Sequence, residues 1–357
     1  MIHAFIRYGD GSVCTTCDHE TLSRAKADEA ARCWIDLDQP DDDERKLLSD
    51  VFHFHPLAIE DASSDHAQRA KIEDYQRAGD IEQHKSGYYF IVVHAPDLDL
   101  EERLSTASNR AADARTRGGN GDGNEYRLAT KELDIFLGER FLVTLHRQRL
   151  RAINSIVARF KKDPAAALDE GLDVLLHSML DKIVDAYFPI LDKLQARIDR
   201  VEDQATASPQ RVVLKRINRM KRELLNYRRT IAPQRDVLNS LTRGEVPFIR
   251  ETARVYLRDV QDHLNRVVET VELYRDLIAG ARDLYLSSIS NNLNQVMKTL
   301  TIITVVTLPL TVVTSFFGMN FDAIPAIHSR RGFWFAVVFM LMAVGGLLAM
   351  FKRKKWI

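Results

Sequence analysis

Cysteine is scarce in this chain, which has three among its 357 residues, at positions 14, 17 and 33. A small and odd number in a long chain argues against a framework of disulfides. Cys14 and Cys17 form a single C-x-x-C pair, and a zinc site built on such a pair needs further cysteines or histidines to complete four ligands. We therefore interpret the pair as reduced thiols in a surface loop.

An excess of either charge is also absent, since 50 basic residues balance 50 acidic ones. This balance gives no support for a nucleic-acid partner. The first residues, MIHAFIRYGDG, contain no apolar run of signal-peptide length, so we expect no cleaved leader. The sequence offers no nucleophile–base set and no phosphate-binding loop, and we expect neither an enzyme nor an organic cofactor.

Charges are missing altogether from two stretches, residues 300–317 (LTIITVVTLPLTVVTSFF) and 333–351 (FWFAVVFMLMAVGGLLAMF). A helix rises about 1.5 Å per residue, so each stretch comes close to the about 30 Å thickness of a bilayer's hydrocarbon core. The loop between them, 318–332, is too short for a domain. The pattern predicts two C-terminal transmembrane helices in a lipid bilayer, joined by an extracytoplasmic loop.

Lysine and arginine determine the predicted orientation of this hairpin. Lys298 precedes the first span, and the basic tail 352–357 follows the second. The loop carries Arg330 and Arg331, so the bias is modest. We expect a multi-pass protein of the cell (inner or plasma) membrane with both termini in the cytoplasm. The cations of the tail are Lys352, Arg353, Lys354 and Lys355.

Residues 1–165 predict a cytoplasmic α/β domain. Because the rest of the chain is predicted to be helical, the predicted fold class of the whole chain is α+β. Residues 101–126 are poor in apolar side chains and rich in Gly, Asn, Ala and Arg, and we interpret them as a disordered insert. The predicted elements of the domain are strands at 32–38 and 86–96, a hairpin at 132–146 that turns at Gly138 and Glu139, and a helix at 41–52.

Residues 166–250 predict a helical hairpin. Four aspartates, at positions 181, 185, 192 and 199, recur on one face of its first helix. The second helix, from 210 to about 241, has nine Lys or Arg and one acid, Glu223, between Arg211 and Arg235. Either the two helices face one another with complementary charges, or both present solvated faces whose ion pairs contribute little.

A third long helix, 251–317, is predicted to form a stalk that continues into the first span. A helix of this length is not stable alone, so we expect it to pack against copies of itself or against the preceding hairpin. In its membrane part, one face recurs about every 3.5 residues and carries mostly hydroxyl-bearing or small side chains, together with Met297 and Leu308. These residues are Asn294, Met297, Thr301, Thr304, Leu308, Thr311, Ser315 and Gly318.

Two interpretations of this polar stripe remain open. The hydroxyl groups can bond back to carbonyl groups four residues earlier and assist helix packing. Alternatively, several copies of the helix line a water-filled pore, which a single hairpin cannot enclose. Pro309 frees the carbonyl group of Val305 for either purpose. The opposite face, positions 299, 303, 306, 310, 313 and 317, suits lipid.

The stretch HFHP, residues 53–56, places two histidines near Glu60 and Asp61. These four side chains lack a closed set of metal ligands. Proline is common at the first position of a helix, so we interpret the stretch as a helix start at Pro56.

The motif GMN, residues 318–320, closes the first span, and KRKKW follows the second. With these flanks the chain resembles the CorA family of divalent-cation transporters. The resemblance extends along YLSSISNNLNQVMKTLTIITVVTLPLTVVTSFFGMNF (285–321) and, in the same order as in the family, along HPLAIED (55–61) and RDVQDHLNRVVETVELYRD (258–276). It covers nearly the whole chain apart from the 101–126 insert.

The resemblance implies a homopentamer in which five first spans line the pore and five second spans form an outer ring. Gly318, Met319 and Asn320 would form the selectivity filter, with Met319 packing sideways because thioether is a poor ligand for a hard cation. Mg²⁺ holds its water tightly. Amide and carbonyl oxygens accept hydrogen bonds from those waters and still release the ion, whereas a carboxylate ring would release it slowly.

Below the filter, the resemblance implies a hydroxyl ring, a hydrophobic constriction and a polar ring. It selects Leu300 where the polar stripe selects Thr301. Asp283 would lie at the cytoplasmic mouth and offset the basic ring of the tail. The pore-lining and gate residues are then Asn294, Met297, Leu300, Thr304, Leu308, Thr311 and Ser315.

Regulation would rest on Asp259, which matches the family's Mg²⁺-sensing acid between subunits, with Asp99 or Asp97 as its partner. Bound Mg²⁺ would bridge the carboxylates and hold the gate closed. The alternative is that Asp259 pairs with neighbours on an exposed helix. In the outer loop Asp322 is retained, but Ala326 stands where many members carry a second acid, so we expect a weaker cation-attracting field or a different ion.

The sequence thus predicts a homopentameric channel for Mg²⁺, which is both transported and regulatory, and for Co²⁺ or Ni²⁺ as further cargo. Influx would be driven by the membrane potential, since moving two charges through 100 mV is worth about 4.6 kcal/mol. Two alternatives remain. One is a ZntB-like Zn²⁺ transporter of the same architecture. The other is a non-conducting membrane-anchored scaffold or sensor, which would leave the polar stripe unexplained.

Overall fold

The computed structural model describes residues 1–15, 19–64, 67–75, 87–98, 129–319 and 330–356. The predicted insert lies outside these residues. The chain divides into two compact units. The first consists of Met1–Val201 and Lys215–Gly280, and the second of Glu202–Leu214 and Ala281–Ile357.

A seven-stranded sheet, with strand order β2-β1-β3-β7-β6-β5-β4, forms the centre of the first unit. The pairing of β3 with β7 is parallel, and the other pairings are antiparallel. The predicted strands at 32–38 and 86–96 are confirmed as β3 and β5. The strands are β1 Ile2–Arg7, β2 Val13–Cys14, β3 Arg32–Asp38, β4 Lys71–Asp74, β5 Tyr88–Pro96, β6 Thr130–Gly138 and β7 Phe141–His146.

The predicted hairpin at 132–146 is also confirmed, as β6 and β7. Leu137 pairs with Leu142, so the turn occupies the four residues between them. A Cβ atom at Gly138 would collide with the ring of Phe141. Glycine is therefore required at the turn because the aromatic ring occupies the space of a side chain.

The described helices include short ones beside the sheet and longer ones that follow it. The helices are α1 His19–Ala27, α2 Asp42–Asp50, α3 Pro56–Ser63, α4 Arg151–Lys162, α5 Pro164–Asp169, α6 Leu172–Asp185, α7 Phe188–Ala207, α8 Arg211–Ile231, α9 Gln234–Arg243, α10 Glu251–Phe317 and α11 Arg330–Arg353. The long predicted helix is confirmed as α10, a single element of 67 residues.

The starts of α2 and α3 follow from their first residues. Asp41 accepts from the backbone N–H of Glu44 at 2.7 Å, and Glu44 accepts from the backbone N–H of Asp41 at 3.1 Å, which forms a capping box. His55 caps α3, since its Nδ1 accepts from the N–H of Leu57 at 3.2 Å, and Pro56 is the first helical residue. The interpretation of HFHP as a helix start is confirmed.

The predicted helical hairpin consists of four helices rather than two. α6 ends at Asp185 and α7 begins at Phe188, so Asp181 and Asp185 lie on a different helix from Asp192 and Asp199. The second predicted helix is interrupted at Pro233, which has no N–H to continue the ladder of hydrogen bonds.

Charge pairing across this region also differs from the prediction of an acidic helix facing a basic one. Between α7 and α8, Arg197 lies 3.6 Å from Glu223, so the arginine is on the predicted acidic helix. Arg228 of α8 instead pairs with Glu272 of α10 at 2.9 Å. The basic face of α8 is therefore compensated in part by α10.

Successive side chains of a strand point to opposite faces of the sheet, and in these strands both sets are largely apolar. Helices therefore cover both faces. On one face the rings of Phe54 and Phe136 stack at 4.3 Å within a core that also includes buried residues of α1, α2 and α3. On the other face Trp34 contacts Phe160 of α4 edge to face at 4.7 Å, and both side chains are fully buried.

The backbone of β5 beyond the end of β4 is bonded by side chains from the helical region. The N–H of His94 donates to Gln234 Oε1 at 3.1 Å, and the hydroxyl of Tyr187 donates to the carbonyl group of His94 at 2.5 Å. Tyr187 lies at the break between α6 and α7 and is buried. These bonds satisfy an otherwise unpaired strand edge, at the point where α6 gives way to α7.

A buried polar network lies on the same face as Trp34. His146 and Asp36 are fully buried. His146 Nε2 is 3.3 Å from Asp36 Oδ1, and His146 Nδ1 is 3.4 Å from Asp38 Oδ1. Asp36 also accepts from the hydroxyl of Thr144 at 2.7 Å. Burial opposes the charged imidazolium, but the hydrogen bond and charge of Asp36 and the charge of Asp38 raise the pKa of His146 overall.

Candidate functional site

The seven predicted pore-lining residues of α10 are all exposed in this chain. Leu300 is 55% exposed and Leu308 61% exposed. Large apolar neighbours such as Ile303 and Phe316 are at least half exposed as well. An apolar surface of this extent is not stable in water, so lipid or other copies of the chain must cover it.

The threonine hydroxyls of the stripe donate to carbonyl groups one turn earlier. Thr301 Oγ1 lies 2.8 Å from the carbonyl oxygen of Met297, Thr304 Oγ1 2.9 Å from that of Leu300, and Thr311 Oγ1 3.0 Å from that of Thr307. These bonds to the preceding turn are the ones that the helix-packing interpretation expects, and a pore-lining helix can make them as well, so both interpretations of the stripe stay predictions. A hydroxyl with this bond can enter a membrane without an unsatisfied donor.

The opposite face of α10, which is predicted to face lipid, is less exposed than the face with the polar stripe. Thr299 and Ile303 are exposed, whereas the remaining four residues are partly covered. These four residues are Val306, Leu310, Val313 and Phe317. The more exposed face is therefore the one with the predicted pore-lining residues.

At the C-terminal end of α10 the helical hydrogen bonds continue past Phe317. The N–H of Gly318 donates to the carbonyl group of Thr314 at 2.9 Å. A Cβ atom at Gly318 would lie 3.1 Å from that same carbonyl oxygen, which is a tight contact. Met319 is 45% exposed. Asn320 and Asp322 lie outside the described residues.

At the other end of the membrane part, Lys298 Nζ donates to the carbonyl group of Lys355 at 3.1 Å. The start of the first apolar stretch and the tail after the second are therefore in contact. Both α10 and α11 are long and apolar enough to cross a membrane. Asp283 is exposed and precedes Lys298 by about 22 Å along the helix axis.

Asp259 of α10, the predicted regulatory acid, is next to a cluster of potential metal ligands. Its side chain is 70% exposed, and its Oδ2 is 4.0 Å from Nε2 of His263. Asp181, Asp185 and His263 each offer a ligand atom, and these atoms lie within 4.8 Å of one another. Burial, and then the charge of Asp185, raises the pKa of Asp181, and Asp259 contributes in the same direction. Three groups that could hold a divalent cation are thus gathered here, with Asp259 beside them.

This cluster was only partly foreseen from sequence. The sequence places the two aspartates of α6 on an acidic helix face but does not single out His263. Its position four residues after Asp259 was the available signal, because such residues are neighbours on a helix.

Asp97, one predicted partner of Asp259, already has a partner within the same chain. Its Oδ1 lies 3.0 Å from Nζ of Lys131, and the two side chains are 14% and 8% exposed. Lys131 also donates to the carbonyl group of Arg149 at 3.1 Å. The charge of Asp97 is therefore compensated locally. Asp99, the other predicted partner, lies outside the described residues.

The cysteines give no further support to a metal site. Cys33 is buried on β3, and burial raises the pKa of its thiol to about 12, which keeps it protonated and unreactive. Cys14 is half-buried on β2, and Cys17 lies outside the described residues.

The family model described as CorA-like Mg²⁺ transporter protein matches residues 114–353. The putative metal ion transporter YfjQ of Bacillus subtilis is 33% identical over 347 residues, which cover 96% of each protein. The cobalt/magnesium transport protein CorA of Thermotoga maritima is 30% identical over 310 residues, 87% of this chain and 79% of that protein. The structure of the CorA magnesium transporter from Methanocaldococcus jannaschii has a similar fold, with a TM-score of 0.74, 23% identity, and 99% and 98% of the two chains covered.

The family model spans more than half of this chain, and both relatives match over most of their length. The similar structure confirms the predicted fold class of an α/β domain, long helices and two C-terminal apolar helices. Members of this family are membrane transporters and not enzymes. The exposed apolar and hydroxyl-bearing surface of α10 fits that role. This chain therefore belongs to the family of CorA-like Mg²⁺ transporter proteins and is a divalent-cation transporter.

Proposed function

We propose that the chain forms a homopentameric channel that admits Mg²⁺ into the cytoplasm, driven by the membrane potential. The observation that carries this proposal is the exposed stripe of α10, which runs from Asn294 to Ser315 and leads into Gly318. Five such stripes around one axis would pack against one another and line a water-filled pore. The second apolar helix of each subunit would then separate the pore from lipid.

The contact between Lys298 and Lys355 supports the proposed orientation. It brings the basic tail to the same end of the hairpin as the start of the first span. Because basic residues favour the cytoplasmic side, both termini would lie in the cytoplasm and the GMN loop outside. The filter residues Gly318, Met319 and Asn320 would then meet the ion first, with oxygen atoms that bind its hydration water.

Uptake into proteoliposomes tests this function. With an inside-negative potential, we expect wild-type vesicles to accumulate Mg²⁺, and Co²⁺ at a comparable or lower rate, as measured with an entrapped fluorescent indicator. Vesicles without potential should take up less, because the potential supplies about 4.6 kcal/mol per 100 mV for a divalent ion.

The same measurement separates the alternatives. Zn²⁺ uptake without Mg²⁺ uptake would favour the zinc transporter of the same architecture. A chain that is pentameric by light scattering but passes none of these ions would favour the scaffold or sensor. Either result would contradict the proposed Mg²⁺ channel.

We further propose that the acidic cluster beside Asp259 senses cytoplasmic Mg²⁺. Without a cation, the carboxylates of Asp181, Asp185 and Asp259 repel one another, and the charges of Asp185 and Asp259 add to burial in raising the pKa of Asp181. A bound divalent ion would remove this repulsion and could be shared with a neighbouring subunit. The ordered state would then be favoured at high Mg²⁺, and loss of the ion would open the gate.

Asp259→Asn is expected to abolish the protection from proteolysis that Mg²⁺ gives to the wild type. The amide removes one negative charge from the cluster, and the cation loses a ligand. The measurement is the rate of limited trypsin cleavage of the full chain with Mg²⁺ and with EDTA. We expect the difference to be at least about fivefold in the wild type and to disappear in the variant.

Asp262→Asn is the matched control, since Asp262 is also exposed and on the same helix. It should retain the full Mg²⁺ effect. Protection that persists in Asp259→Asn, or that is lost equally in both variants, would remove the sensor assignment from this cluster while leaving the uptake result unaffected.

A further inference from the structure

The C-terminal end of α11 is closed by a specific capping motif. The N–H of Trp356 donates to the carbonyl group of Phe351 at 2.9 Å, and the N–H of Lys355 donates to that of Lys352 at 3.1 Å. Lys355 has a φ of 57°, in the left-handed region. The rings of Trp356 and Phe351 stack at 5.7 Å with an interplanar angle of 10°. These features define a Schellman motif with its hydrophobic contact.

A lysine occupies the position of this motif where glycine is usual. Left-handed backbone is unfavourable for a residue with a Cβ atom, so Lys355 adopts a conformation that glycine would adopt without strain. Its carbonyl group accepts the hydrogen bond from Lys298. A positively charged side chain, that of Lys355, therefore occupies a strained position, and the ammonium group of Lys298 from α10 lies beside its backbone.

Five cations are gathered at this end of the second unit. They are Lys298, Lys352, Arg353, Lys354 and Lys355. The four cations of the tail are exposed, and Lys298 is partly exposed. The sequence has no Asp or Glu from 284 to 321 and none after Asp322, so neither apolar helix supplies a nearby carboxylate. Among the residues described, no ion pair within 4 Å involves any of the five. Among the described residues, no carboxylate therefore compensates their charge, and the cluster is open to an external anion.

We propose that this cluster, Lys298 with Lys352–Lys355, is a binding site for the headgroups of anionic phospholipids. The cluster lies where the apolar stretch of α10 begins and that of α11 ends, which in a membrane transporter is the level of the headgroups. Basic residues at such a position are attracted to anionic lipid. Trp356 is 40% exposed, and its amphipathic ring suits the same interface.

The site has a consequence for transport, which rests on the proposed channel. A basic ring near the cytoplasmic mouth would repel a divalent cation that leaves the pore toward the cytoplasm. Phosphate groups of bound lipid would reduce that repulsion while leaving the pore unobstructed. The binding itself depends only on the membrane location of the helices and is tested without any ion flux.

The test uses full-length Trp334→Phe protein in nanodiscs, so that Trp356 is the exposed tryptophan while Trp34 remains buried. Its fluorescence is measured in phosphatidylcholine discs with a small fraction of brominated phosphatidylglycerol or of brominated phosphatidylcholine. We expect at least about fivefold stronger quenching per brominated lipid for the anionic one, since each cation near the surface favours it several-fold. Raising NaCl to about 1 M should reduce the preference by screening.

Two variants separate charge from fold. Neutralising Lys352, Arg353, Lys354 and Lys355 to glutamine should abolish the preference. Lys355→Gly keeps the cap and removes one charge, so it should lower the preference only partly. Arg330→Gln with Arg331→Gln, at the other end of α11, should leave it unchanged.

Equal quenching by the two brominated lipids in the starting protein would overturn the proposal. It would also be overturned if the glutamine variant kept its preference, or if excess inorganic phosphate abolished the preference while NaCl of equal ionic strength did not. The last result would assign the cluster to a soluble phosphate ligand. A channel that fails to conduct Mg²⁺ but keeps the lipid preference would contradict the proposed function and leave the lipid site intact.

Discussion

Asn320→Ala protein is expected to assemble as the wild type does and to take up Mg²⁺ at least about tenfold more slowly in proteoliposomes. In the proposed filter, the Asn320 amide oxygens accept hydrogen bonds from the water shell of the ion. A hydrogen bond to a charged group is worth about 1.5–3 kcal/mol, and 1.4 kcal/mol corresponds to tenfold. The substitution would remove one such acceptor from every subunit at once.

Asn320→Asp is the informative companion, because it keeps the size of the side chain and adds a charge. A ring of carboxylates should bind the ion more tightly and release it more slowly. We therefore expect half-maximal uptake at a lower Mg²⁺ concentration together with a lower maximal rate. Wild-type uptake in Asn320→Ala, with the oligomer confirmed by light scattering, would show that the filter lies elsewhere.

His146→Gln is expected to destabilise the first unit by about 3–5 kcal/mol near pH 6, since breaking a buried ion pair leaves an uncompensated charge. Here that charge is the carboxylate of Asp36, which is fully buried beside Thr144. The measurement is hydrogen exchange of β3 and β7 in the full chain, corrected for the intrinsic pH dependence of exchange.

The pH dependence of this effect has a definite sign. The pKa of His146 in the folded protein is raised above its ordinary value of 6.5. The folded state therefore binds the proton more tightly than the unfolded state. The resulting stability is fully present below about pH 6.5 and is lost as the pH rises through the folded pKa. The wild type should lose protection of β3 and β7 over this range, whereas the variant should not.

His53→Gln serves as the control, because His53 is exposed near α3 and distant in sequence from the buried network. It should keep the pH dependence of the wild type. If exchange in β3 and β7 had the same pH dependence in His146→Gln as in the wild type, the raised pKa would not contribute to stability.

The parts of the fold that sequence predicted well are those with strong local signals. The strand at 32–38 is rich in β-branched and aromatic residues, and the hairpin at 132–146 carries such residues on both sides of a glycine turn. In the structure these strands begin and end close to the predicted bounds. The helix from 251 to 317 was predicted because few residues in it oppose a helix. Its hydroxyl groups bond to the preceding turn, a local interaction that was one of the two alternatives for the polar stripe.

The parts that sequence did not reveal depend on contacts between distant residues. The break before Phe188 is associated with the bond from Tyr187 to the backbone of His94 in the sheet. No local pattern in the helical region announces it, because its partner lies 93 residues away. The grouping of His263 with Asp181 and Asp185 likewise depends on the packing of α10 beside α6. The sequence of α6 does not indicate that His263 lies beside it, and the sequence of α10 does not indicate the two aspartates.

The back-bonded threonines of α10 have a further consequence for the sign of the charge that a pore can pass. Each hydroxyl proton is directed at a main-chain oxygen, as at Thr304 and Thr311. What remains on the outer side of the hydroxyl is a lone pair, so the group can accept a hydrogen bond but has no proton to give. Water around a cation points its hydrogens outward, and water around an anion points its oxygens outward. In a pore lined by these helices, the back-bonded threonine hydroxyls would therefore fit the hydration shell of a cation and offer no donor to that of an anion.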